Sequence, residues 1–128
     1  MGYYNNKIIK GSFAETVEKT RELLKEEGFG IVSSIDLKGI LKQKLNIVYK
    51  DYIILGACNP HLAVRALQSD DKVGALLPCN VLVIDQGDGK IEIAFIDAET
   101  SLGKLGKPEL NILGREVNNT FSRILQKL

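Results

Sequence analysis

Two cysteines, Cys58 and Cys79, sit in similar short phrases, Gly56-Ala57-Cys58-Asn59-Pro60 and Leu77-Pro78-Cys79-Asn80, and the 128-residue chain has no others. Its one histidine, His61, follows the first cysteine by three positions. Thiols, an imidazole and two amides in this pattern point to three chemistries. Cys58, His61 and Cys79 are soft and borderline donors that suit a metal such as zinc, with water, Asp97 or a partner chain as fourth ligand. Cys58 also precedes an expected helix start, where the dipole and free N–H groups favour thiolate; it is then a nucleophile with Cys79 as resolving thiol. The third chemistry is small-ligand binding. An apolar pocket under a long helix would be lined by Phe95, Val81, Val83, Phe121 and Val117, with Asn59 and Asn80 at its mouth. Helix starts near Asn59 and Pro108 suit an anion there. Packing and capping alone account for the same residues. Free cysteine is among the most buried residue types, and Asn59-Pro60 is a good N-cap and N1 pair.

The elements that must position these residues alternate along the chain. Residues 3–10 have strand character. Ser12-Phe13-Ala14-Glu15 is a capping box, followed by apolar positions at helical spacing (Phe13, Val17, Leu24) and a Gly28 stop. Residues 29–35 form a second strand. Asp36 caps a short helix carrying Leu37, Ile40, Leu41 and Leu45, which Asn46 closes. Residues 52–57 are apolar throughout and suit a central strand. Asn59-Pro60 opens a helix with Leu62, Ala63, Ala66 and Leu67, and Asp70 or Asp71 caps a further short turn. Residues 81–85 and 91–96 are strands joined by a Gly87-Asp88-Gly89 turn, a hairpin signal. Residues 97–107 form a loop. Its Gly103-Lys104-Leu105-Gly106-Lys107 stretch lacks the phosphate-loop spacing. Pro108 opens a long final helix with the stripe Leu110, Leu113, Val117, Phe121, Ile124 and Leu128. The hairpin excludes a purely parallel sheet. The expectation is an α+β two-layer sandwich, one domain over 1–128, with a mainly antiparallel five-stranded sheet and helices on one face. In an antiparallel arrangement, the end of the Cys58 strand meets the start of the Cys79 strand. In a parallel one, the thiols stand about 20 Å apart.

Bulk properties narrow the partners. Seventeen basic against sixteen acidic residues give a net charge of +1, not the basic stripe of a nucleic-acid binder. No stretch reaches the roughly 18 apolar residues of a membrane span, and the start of the chain lacks a signal-peptide pattern, so a cytoplasmic location is expected. Two cysteines do not make a disulfide framework.

The two cysteine phrases, with Ala63, Ala66-Leu67, Gly74-Ala75-Leu76 and Ile96-Asp97, resemble the domain-of-unknown-function family numbered 302 from end to end. The resemblance implies a fold similar to the TATA-binding-protein-like β-α-β(4)-α arrangement, which favours antiparallel neighbours for the cysteine strands. It also implies a homodimer. It implies no activity and hence no catalytic residues. Ala98 stands where the family pattern leads one to expect proline. The combined reading is a non-enzymatic homodimeric module binding a small ligand or metal at Cys58, Asn59, His61, Cys79, Asn80 and Asp97. A thiol redox enzyme and a purely structural dimer are the alternatives.

Overall fold

The computed structural model describes residues 2–128. Five strands, β1 (Tyr4–Lys10), β2 (Gly30–Asp36), β3 (Tyr52–Cys58), β4 (Cys79–Gly87) and β5 (Lys90–Ile96), form one sheet in the order β1-β5-β4-β3-β2. Every neighbouring pair is antiparallel. The central β3, β4 and β5 carry the apolar runs that sequence reading assigns to the sheet interior. Asp88 and Gly89 both have positive φ, as a two-residue hairpin turn between β4 and β5 requires, so the turn is one residue tighter than expected.

The helices are set by their caps. Ser12 accepts the Glu15 N–H at the start of α1 (Phe13–Glu26), and Gly28 follows its end at φ +87°. Asp36 accepts from Gly39 at the start of α2 (Leu37–Leu45), and Asn46 ends it in the left-handed region. Asn59 caps α3 (Pro60–Ser69), and Asp70 then caps a 3-10 turn over Asp71–Leu76. Residues 98–103, expected to be loop, form a short helix α4 (Ala98–Gly103) because Asp97 caps it by accepting from Thr100 N and Oγ1. The long helix α5 (Pro108–Lys127) closes the chain.

The two faces of the sheet differ. Leu55, Val81, Ile93 and Phe95 are fully buried on one face, against Leu24 of α1 and Val117, Phe121 and Ile124 of α5, and Val83 and Ile91 pack beside them with Val17 of α1. Phe121 lies 4.7 Å from Phe95 and 5.1 Å from Phe29, ring centre to ring centre. Each such side chain contributes about 1.5–3 kcal/mol of burial. Lys7, inward-facing on β1, donates its ammonium to the Leu125 carbonyl in the last turn of α5, a favourable pairing at a helix C-terminus. On the opposite face of the same strands, Ile54 and Leu82 are only half-buried, and Ile8 and Ile35 are exposed. Among the described residues, no helix is long and apolar enough to cross a membrane.

Candidate functional site

The register fixes where the two cysteine phrases meet. Ala57 lies opposite Cys79, and Gly56 lies opposite Asn80. The end of β3 therefore does meet the start of β4. Cross-strand partners share a face and successive residues alternate. Cys79 thus points inward with the buried Ala57, and Asn80 points to the other face with Gly56. Gly56 is required there: a Cβ on it would fall on Ser33 Oγ and 2.7 Å from the Pro78 ring. The glycine of one phrase makes room for the proline of the other.

Cys58 and Cys79 both line an apolar cavity of about 30 Å³. Its floor is Phe29, Ala57, Ala66, Leu102, Leu113 and Val117, all buried. Its rim consists of the half-buried Cys58, Asn59, Leu62, Ala63, Leu77 and Cys79. Small side chains leave the space: Ala57 on the sheet, and Ala63 and Ala66 one turn apart on α3. Both thiols are free. Burial, with Cys58 close by, pushes the Cys79 thiol up to about 11. Cys79 is therefore a protonated thiol at neutral pH and a poor nucleophile or metal ligand without help.

The other expected site residues separate from this cavity. Asn59 stands on its rim, but its Oδ1 accepts from the backbone N–H of His61 at 3.1 Å and of Leu62 at 3.4 Å. These bonds use the N–H groups expected to hold an anion at the start of α3. His61 is exposed and lines no part of the cavity, and Asn80 is exposed on the far face of the sheet. Asp97 spends its carboxylate on α4 and on Asn118 Nδ2 at 2.8 Å. The Asn118 amide is the main cause that holds its carboxyl below the usual range, with the Thr100 bonds adding to it. Among the described residues, no three His, Cys, Asp or Glu side chains are grouped to hold a metal ion. The zinc set Cys58, His61 and Cys79, with Asp97 as fourth ligand, is not assembled because capping and exposure draw His61 and Asp97 away.

The pocket also lies elsewhere than expected. Of Phe95, Val81, Val83, Phe121 and Val117, only Val117 lines it. The two phenylalanines fill the space under α5, and the cavity is displaced toward α3. Leu62, Ala63, Leu77 and Leu102 escaped the sequence reading; the signal for them was the small-residue pair Ala63 and Ala66 beside a cysteine strand. Ala98 donates its N–H to Asn118 Oδ1 at 2.8 Å, a bond that the proline of the family pattern has no hydrogen to make.

Comparison with known proteins supports the same frame. The family model described as Domain of unknown function DUF302 matches residues 5–128. The chain is similar to a solved structure, the crystal structure of an uncharacterized conserved protein DUF302 from Bacillus stearothermophilus. The two have a TM-score of 0.90 and 26% identity, with 98% of each chain covered. No curated protein matches the chain.

Proposed function

This chain belongs to the DUF302 family, a domain of unknown function, and from its cavity we propose a non-enzymatic homodimeric module that takes a small ligand by an apolar end. The observation that carries the reading is the half-open apolar cavity whose rim holds both cysteines. At about 30 Å³ it is far below the roughly 300 Å³ of a full ligand pocket. The ligand therefore inserts only a small apolar tip between α3 and the sheet, and the rest of it lies outside. The thiols act as soft, polarisable wall atoms in this reading, not as reacting groups.

Xenon is the natural probe, because dry apolar cavities accept it. Xenon titration followed by amide NMR is expected to shift Ala57, Cys58 and Ala63. Ala63→Leu, which fills the cavity, is expected to abolish the shifts while the protein stays folded. Absence of shifts in the wild type, or equal shifts in Ala63→Leu, would refute the reading.

Reversible disulfide formation between Cys58 and Cys79 is the second reading. It is supported by the two free thiols standing on one rim and opposed by the burial that keeps Cys79 protonated. Diamide oxidation followed by mass spectrometry decides it: an intramolecular 58–79 disulfide that dithiothreitol reverses supports this reading, and its absence removes it.

A further inference from the structure

The connection between α2 and β3 turns its apolar residues outward. Leu45 is 63% exposed, Ile47 45% and Val48 81%, and Tyr49 follows them at the surface. Loops are polar as a rule, and a run of exposed apolar side chains in one is either a fault or a function. The run is not a frayed end. Asn46 closes α2 in the left-handed region, and the N–H groups of Asn46 and Ile47 donate to the Lys42 and Leu41 carbonyls. Lysines surround this tip. Residues 37–50 contain four and no acidic residue. Lys38, in the first turn of α2, is taken by Asp51 at 3.4 Å, and Asp51 and Asp85 stand with Lys38 and Lys50 at that end. Asp36 spends its Oδ1 on the Gly39 N–H. Lys42 and Lys44 lie in the last turn, beside the tip. Among the described residues neither has a carboxylate partner, and Lys42 reaches only Asn46 Oδ1 at 2.8 Å. Lys50 donates to the neutral Gln86 Oε1 at 2.8 Å and lies 5.7 Å from the centre of the Tyr49 ring. The helix dipole alone attracts lysines to a last turn, but it gives no reason for the apolar tip.

We propose that this tip docks the protein on an anionic bilayer surface. Leu45, Ile47 and Val48 enter the headgroup boundary, Lys42, Lys44 and Lys50 meet the lipid phosphates, and the amphipathic Tyr49 ring stays at the interface. Charge selects the occupant. A second copy seated on the tip would set Lys42 and Lys44 against their own kind. A nucleic acid would take the lysines, but its interfaces are polar and leave Leu45 and Val48 without a partner. An anionic bilayer takes both. Basic residues near its surface each add attraction, and a small apolar insertion adds to it, which together give reversible attachment. Such attachment is peripheral and needs no spanning helix. It depends neither on the cavity at the other end of β3 nor on the number of copies.

The test is co-sedimentation of the full chain with vesicles of phosphatidylcholine and phosphatidylserine, and with vesicles of phosphatidylcholine alone. Circular dichroism checks that each variant stays folded. The expected result is binding to the anionic vesicles that is at least about tenfold tighter than to the neutral ones and that weakens as salt is raised. Lys42→Glu combined with Lys44→Glu, and separately Val48→Asp, are each expected to lower it at least about tenfold. Lys72→Glu combined with Lys104→Glu makes the same change in net charge on other exposed positions and is expected to leave binding within about twofold. A spin-labelled lipid in the anionic vesicles is expected to broaden the amide signals of Ile47 and Val48 before those of α3. Absence of binding to anionic vesicles overturns the proposal, as does equal binding to both kinds. An equal loss in the Lys72 and Lys104 pair overturns it as well, because net charge and not the tip would then be responsible. Self-association that Val48→Asp abolishes, without vesicle binding, would assign the tip to a second copy instead.

Discussion

The two faces of one sheet are built from the same strands, yet only the inner one is apolar throughout its centre and covered by helices. On the inner face, Val81, Val83 and Phe95 are fully buried under α1 and α5. On the outer face, Ile54 and Leu82 of the same strands stay half-buried, and Ile8 is 56% exposed. An apolar alternation on both sides of a strand normally means cover on both sides. The inner face therefore carries the stability of the protomer and, at one end, the cavity. The outer face keeps apolar side chains such as Ile8 and Ile35 in contact with solvent.

The largest contrast comes from truncating each face in turn. Phe121→Ala removes a ring packed on Phe29 and Phe95 and is expected to cost about 3–5 kcal/mol in denaturant unfolding. Ile8→Ala, on the exposed outer face, is expected to stay within about 0.5 kcal/mol. Similar losses from the two would erase the distinction between the faces.

Alkaline unfolding probes the cavity end of the inner face. The Cys79 thiol is pushed up to about 11 in the folded protein, against an unfolded thiol near 8.5–9. Its folded pKa is raised, so its contribution is complete below the unfolded value and is lost as pH rises through the folded one. The expected loss between about pH 9 and 11 is roughly 2–3 kcal/mol, absent in Cys79→Ala. A wild type and variant with parallel pH profiles would show that Cys79 is not buried as described.

Smaller effects test the joints between the motifs. Gly56→Ala places a Cβ against Ser33 and Pro78 and is expected to cost about 1–3 kcal/mol in thermal unfolding, while Gly74→Ala, with open space around its Cβ, is expected to be near neutral. Ala98→Pro deletes the donor to Asn118 at an expected cost of about 1–2 kcal/mol, and stability at or above wild type would show that the bond is dispensable.

Much of this arrangement was legible in the sequence because it rests on local signals. Ser12, Asp36, Asn59-Pro60 and Asp70 mark helix starts whose caps the structure shows. The stripe from Leu110 to Ile124 gives the buried side of α5. What escaped was tertiary or too short to show a period. Ala98–Gly103 spans less than two turns, and its only marker was Asp97 followed by Thr100, which looked like a loop carboxylate and a possible ligand. The cavity depends on which side chains from five separate elements (β3, α3, β4, α4 and α5) fail to fill a corner, and no periodicity reports that. His61 and Asn80 lie close to the cysteines in sequence, but exposure in the first turn of α3 and strand alternation take them out of the cavity.

The most direct test of the cavity account is the labelling rate of each thiol in the native protein, resolved by mass spectrometry, with metal analysis of the same sample. The expected result is slow alkylation of both cysteines at neutral pH, Cys79 slower than Cys58, both slowed further by xenon, and no stoichiometric metal. Stoichiometric metal lost in Cys79→Ala, or a fast Cys58 that xenon does not protect, would contradict it.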